Sequence, residues 1–255
     1  MKYLITVIVL IMLVFAVRAN SMEVIKLTED NHVVIRGQIN GMSSSKITDS
    51  LMKSKTKELY IFIASNGGSV TSGMQIVQTI QALQRSGVKV TCIGNVALSM
   101  GFVIFQYCDN RYVMPSSVLM QHQMSLGIEG PLKNVNSYMD FINVMDLEIE
   151  NYQSKRLNMT LDDFKNKVDH DWWMFGSSAV NHKAADKMVS VLCDFKVDYY
   201  EEKVFTHFGT VKLLYSTCPL SRDPIDIKFD DSYPMAQREN IIRELYNNLT
   251  PKLSL

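Results

Sequence analysis

Apolar and polar positions along the chain fall into blocks whose period changes from one block to the next. Leu4 to Val17 is an uncharged run, apolar at every position but Thr6. Within Val24–Asn40, His32 to Gly37 reads as a strand and gives way to a polar turn, and Ile47 to Ser54 has the spacing of a short amphipathic helix. Glu58 to Ala64 predicts the next strand, and Met74, Val77, Ile80 and Leu83 mark one face of the helix after it. Val88 to Ile93 is rich in β-branched residues, as a buried strand is, and Gly94 to Leu98 reads as a short connection of small residues. From Ser99 to Cys108 the chain is apolar on nearly every side, which predicts a helix enclosed in a core. Ser117 to His122 is a further apolar run ending in a histidine.

Beyond Gly130 the pattern lengthens. Pro131 suits a first helical turn, and Val135, Tyr138, Ile142, Met145, Ile149 and Tyr152 recur in steps of three and four, giving a long helix over 131–157. Its narrow seam fits either a partner helix or its own domain. Asn158-Met-Thr-Leu-Asp-Asp-Phe164 opens a shorter helix, and Trp172 and Trp173 read as core or rim packing. Phe195 to Ser216 alternates around Gly209 as a hairpin does, and Ala236 to Asn247 predicts a closing helix. Strands alternating with helices imply an α/β fold with a mainly parallel sheet and helical crossovers. Reactive groups then gather at the carboxyl ends of the strands, where Gly67, Gly68, Ser99 and His122 fall.

The chain has 255 residues, 47% of them hydrophobic, enough for one sizeable core and an appendage. Its 26 basic and 26 acidic residues cancel, so no overall field favours nucleic acid or an anionic membrane. The basic start, the apolar run 4–17 and the small residues at Val17 and Ala19 make residues 1–19 a secretory signal peptide or an N-terminal membrane anchor, and the expected location is periplasmic or secreted. In an oxidising compartment Cys193 and Cys218, which flank the expected hairpin, are the disulfide candidate, whereas Cys92 and Cys108 are expected as buried thiols. No Cys/His spacing matches a zinc site, so neither a metal nor a cofactor is expected.

Ser99 stands at the mouth of a buried helix, where unpaired backbone N–H groups and the positive end of the helix dipole suit an oxygen nucleophile. A plain N-cap is the competing reading. Two further stretches bear on it. Ser65-Asn-Gly-Gly-Ser-Val-Thr-Ser-Gly73 joins a strand to a helix through paired glycines, and Leu119-Met-Gln-His-Gln123 ends a strand on an imidazole. With Gly94-Asn-Val-Ala-Leu-Ser-Met-Gly101 they resemble, from about Asn31 to Val189, the proteolytic subunit of the Clp protease, a serine peptidase of the ClpP/crotonase fold.

The resemblance implies repeated β-β-α and βα units with a protruding handle helix at 131–157 that joins subunits into a ring-type homo-oligomer. It divides the chain into a peptidase domain at 20–190 and a C-terminal extension at 191–255. It implies Ser99, His122 and Asp171 as the catalytic set, with Asp169 the near competitor for the carboxylate. Gly68 and Met100 would form the oxyanion hole, and Ser69, Val70, Gln123, Met124, Ser125 and Leu126 would hold substrate. The substrate implied is a peptide or unfolded protein, its backbone added as a strand to an extended edge at Met124–Gly130. Asn66, Leu98 and Met124 depart from the residues usual in the family and bear on groove shape rather than on the reacting groups. Because an exported enzyme has no ATP, ATP-independent action is expected. Other readings are a Ser-Lys protease of the signal-peptide-peptidase kind, with a lysine such as Lys133 as base, a catalytically silent scaffold of the same fold, and an acyl-CoA-handling crotonase.

Overall fold

The computed structural model describes residues 22–229 and 233–249, so the apolar run 4–17 lies outside the described residues. Among the described residues no helix is long and apolar enough to cross a membrane. The central sheet runs β2 (His32–Ile39), β3 (Glu58–Gly68), β4 (Lys89–Leu98), β5 (Asn110–Gln121) and β6 (Trp172–Phe175) in that order. The first four are parallel, as crossover helices require. Beyond them the outer edge of β5 is shared. β7 (Lys187–Met188) pairs with its beginning in parallel, and β6 pairs with its end antiparallel.

The crossovers are α1 (Gly41–Lys53), α2 (Val70–Arg85) and α3 (Met100–Gln106). α1 starts six residues ahead of the expected Ile47, because Asn40 caps it. The Asn40 side chain accepts from the N–H groups of Met42 and Ser43, and Ser43 Oγ accepts from the Asn40 N–H in return. α3 buries all seven of its residues, which is why its sequence carries no polar face.

β3 and β4 both run past their expected ends. Gly94–Leu98 is strand, not connection: the register of β4 slips between Gly94 and Val96, and pairing with β5 then resumes. Ser117 fills that irregularity, donating to the Gly94 carbonyl at 2.5 Å and accepting from the Met114 N–H at 2.7 Å. Ser65 repeats the device two strands over, donating to the carbonyl of Gly37 where β2 slips. These bulges bend the strands, each with a serine hydroxyl donating to the backbone carbonyl at the bend, and the second half of β4 delivers Ser99 directly at its end.

α4 (Leu132–Arg156) is the long helix, with Pro131 as its N-cap rather than within the first turn. Ile142 and Ile149 are buried, and Tyr152 stacks on Tyr107 with ring centroids 3.7 Å apart, so the second half of the seam packs on its own domain. Leu132, Tyr138, Phe141, Val144 and Leu147 remain exposed, mostly toward the first half. α5 (Leu161–Val168) and the short α6 (Ser177–Asn181) flank β6.

Arg111, 4% exposed, is held from several sides at the start of β5. Its guanidinium donates to Asp186, to Gln106 Oε1 and to the Arg156 carbonyl, and Asp186 also accepts from its backbone N–H. Removing the carboxylate leaves a desolvated cation with only neutral acceptors. Asp186→Ala is therefore expected to cost about 3 kcal/mol of folding stability, read from urea unfolding midpoints. A loss below about 0.5 kcal/mol, the size of an ordinary surface substitution, would contradict this role.

β1 (Val24–Leu27) and β8 (Ser190–Cys193) form a separate parallel pair, so the body of the fold extends through Cys193. The chain then enters an antiparallel sheet of β9 (Tyr199–Thr206), β10 (Gly209–Ser216) and β11 (Asp226–Lys228), with α7 (Met235–Leu249) on it. Val211, Leu213, Tyr215, Ile241 and Leu245 give this extension its own small core. It meets the body at Arg36, which donates to Tyr200 Oη and lies 4.6 Å over the Tyr215 ring. Cys193 is bonded to Cys218, Cα atoms 5.9 Å apart. Cys92 and Cys108 are not free thiols: they form a second disulfide, Cα atoms 5.7 Å apart. α3 is so short that the chain turns back beside β4 at once, which brings Cys108 next to Cys92.

Candidate active site

The nucleophile candidate sits on a strained turn. Ser99 has φ 53° and ψ −120°, a conformation that costs a non-glycine residue on the order of 1–3 kcal/mol. The turn between β6 and α6 adopts nearly the same angles, and there the residue is Gly176. A serine retained where glycine is at ease points to use of its side chain. Although Ser99 occupies the N-cap position of α3, its hydroxyl caps nothing. It lies 2.8 Å from His122 Nε2, placed to donate its proton to the imidazole. The turn is anchored by the Ser99 N–H, which donates to the Met120 carbonyl at 2.8 Å.

His122 follows the last residue of β5, so the strand that pairs with β4 also carries the imidazole to the serine. Gln123 holds the exit, its N–H donating to the Val168 carbonyl and its side chain to the Asp169 carbonyl. The antiparallel register of β5 and β6 ends with Gln121 opposite Trp172. One step further along the same ladder sets Asp171 opposite His122, whereas Asp169 is the C-cap of α5. Neither carboxylate is hydrogen-bonded to the ring in this structure; Asp171 is exposed, and the only side-chain bond of His122 among the described residues is to Ser99.

Gly67 and Gly68 lie across from the turn. A Cβ on Gly67 would stand 2.7 Å from both the Leu98 carbonyl oxygen and the Ser99 Cβ, so the close approach excludes any side chain. Gly68 has φ 143°, and a Cβ there would strike the Ile39 carbonyl at 2.2 Å. Gly68 and Met100 both line the cleft that holds Ser99 and His122. Met100 opens α3, so its N–H belongs to the set a helix leaves unpaired. Of the expected substrate residues, Val70, Gln123, Met124 and Ser125 line the cleft, whereas Ser69 and Leu126 do not. Ser69 instead caps α2 through the Ser72 N–H. Residues 122–129 leave β5 without strand pairing, and His122 to Ser125 among them line the cleft. Lys133 is exposed on the first turn of α4 and does not reach the cleft, so the lysine proposed for a Ser-Lys dyad is not beside Ser99.

The cleft, with about 570 Å³ of empty space including its mouth, continues from Ser99 toward α4 and α5. Ile149, Phe164 and Val168 are apolar there, but Gln121, Asp146, Glu150 and Gln153 are not. Burial pushes the Asp146 carboxyl up, opposed by Lys165. Burial does the same to Glu150, helped by the charge of Asp146 and again opposed by Lys165. In the sequence these residues carry no motif, because they flank the apolar seam of α4. Their signal is two carboxylates spaced i, i+4 beside buried Ile142 and Ile149, hence on one inward-turning face.

A hydroxyl and an imidazole in this relation carry out acyl transfer, and with the glycine-lined approach to the helix start they define a serine-type peptidase. Compared with known protein families, the chain matches Clp protease over residues 18–191, more than half of its length. It belongs to the Clp protease family, and its β-α repeats with the long α4 are the ClpP-like α/β fold.

Proposed function

We propose that the chain is an endopeptidase that works outside the cytoplasm without ATP, by acyl transfer to Ser99. The observation that carries this is the 2.8 Å contact between Ser99 Oγ and His122 Nε2 on a turn whose hydroxyl serves no capping role. His122 takes the hydroxyl proton as Oγ attacks the scissile carbonyl, and returns it to the leaving amine as the C–N bond breaks. Asp171, opposite His122 in the extended ladder, turns its carboxylate toward the ring and stabilises the imidazolium. The Gly68 and Met100 N–H groups receive the oxyanion, and water then releases the acyl group by the reverse sequence of proton transfers. The substrate backbone lies along the unpaired segment after His122.

Two disulfides among the described residues and the apolar run 4–17 support an oxidising, extracytoplasmic address, where ATP is absent. The exposed Leu132, Tyr138, Phe141, Val144 and Leu147 on α4 support assembly of copies of the chain through this helix, as in ring-forming family members. The test is hydrolysis of fluorogenic peptides by the purified full chain with and without Mg-ATP. The expected result is equal turnover in both. A rate that requires ATP, or peptides left intact while folded protein is degraded with ATP, would contradict the proposal.

A further inference from the structure

The wall of the cleft beyond Ser99 carries more polarity than an apolar side-chain pocket needs. Asp146, Glu150 and Gln153 project from successive turns of α4 into the space that Ser99 and His122 also line. Glu150, its side chain 12% exposed, lies 3.4 Å from Lys165, whereas Asp146 forms no salt bridge among the described residues. Two carboxylates against one ammonium leave the wall with an excess of negative charge.

Gln121 supplies an independent observation. It is 6% exposed, and its Oε1 has no hydrogen-bond partner. The orientation follows from its neighbour: Gln153 donates its amide to the Ile149 carbonyl and so turns Oε1 toward Gln121, which must answer with Nε2. The oxygen of Gln121 is thus a buried acceptor without a donor, on a residue that lines the cleft. A leucine in the pocket leaves it unsatisfied, whereas a guanidinium or ammonium at the end of an aliphatic stem satisfies it and balances Asp146. A bound metal is a poorer match, since among the described residues no three His, Cys, Asp or Glu side chains are grouped to hold one.

We infer that this pocket receives a basic side chain, so that the enzyme cleaves after arginine or lysine. The inference rests on the peptidase reading and names its substrate class. Apolar stretches beside Ile149 and Phe164 hold the stem, and Asp146 with Gln121 receives the charged end.

The test compares fluorogenic peptides that differ only in the residue before the scissile bond: arginine, lysine, leucine and glutamate. The arginine peptide is expected to exceed the leucine peptide in kcat/KM by on the order of tenfold or more, with glutamate slowest. In Asp146→Asn and in Glu150→Gln the ratio of arginine to leucine should fall severalfold, chiefly through KM, and a ratio taken within one preparation cancels any loss of folded enzyme. Leucine equal to or faster than arginine in the unaltered enzyme overturns the pocket and leaves the peptidase standing. If no peptide is cut, the peptidase reading falls instead, and the pocket is judged by fluorescence anisotropy with peptides ending in arginine or leucine. Binding of the arginine peptide about tenfold tighter sustains it; equal binding overturns it.

Discussion

Ser99→Ala and His122→Ala are each expected to lower kcat for peptide hydrolysis by roughly 10⁵–10⁶, and the double substitution by little more than either alone. In the proposed mechanism the two side chains form one reacting unit. Without the hydroxyl there is no acyl-enzyme, and without the imidazole the hydroxyl keeps its proton and is a poor nucleophile. Neither change should destabilise the fold by a comparable measure. The Ser99 hydroxyl caps no helix N–H, and its backbone anchor to Met120 involves no side-chain atom. Alanine would inherit the strained φ of 53° at no great additional cost. Progress curves at saturating peptide read the effect. Losses of only tenfold, or multiplicative losses in the double variant, would mean that the pair does not act as a unit.

The second large effect is expected at Asp171. Asp171→Asn should lower kcat by about 10⁴ with KM little changed, because an amide in that place favours the wrong imidazole tautomer and leaves the imidazolium without its counter-charge. The reason to choose Asp171 is the ladder: Gln121 faces Trp172, so the next pair across the two strands is His122 and Asp171. Its carboxylate is not bonded to the ring in this structure, so the proposed role requires that side chain to rotate toward His122 before reaction. Asp169→Asn is the discriminating comparison. Its backbone carbonyl receives Gln123, and that contact does not depend on the carboxylate. If Asp169→Asn shows the large loss and Asp171→Asn does not, the ladder argument is wrong.

Much of the fold was legible because its signals are local. The wholly apolar run after Ser99 became the buried α3, and the paired glycines became the close approach that permits no Cβ. What escaped depends on tertiary geometry. The stretch Gly94–Leu98 looked like a connection because its residues are small, yet Ser117, distant in sequence, closes the bulge that keeps it in the sheet. The start of α1 was hidden because serine, not glutamate, completes the capping box at Asn40. Cys92 and Cys108 looked like core thiols, since nothing in their spacing tells how tightly the chain folds back after so short a helix. At the site, the serine and histidine could be named from motifs, whereas Asp146, Glu150 and Gln121 could not. Each is ordinary in its own stretch and becomes notable only when α4 packs across the end of β5.

The claim on which the rest depends is that His122 makes Ser99 reactive. Treatment of the full chain with a fluorophosphonate probe, followed by peptide mapping, tests it most directly. The account predicts one adduct per chain, on Ser99, and its near-complete loss in His122→Ala. An unlabelled chain, an adduct on another serine, or labelling that persists unchanged without His122 would contradict it.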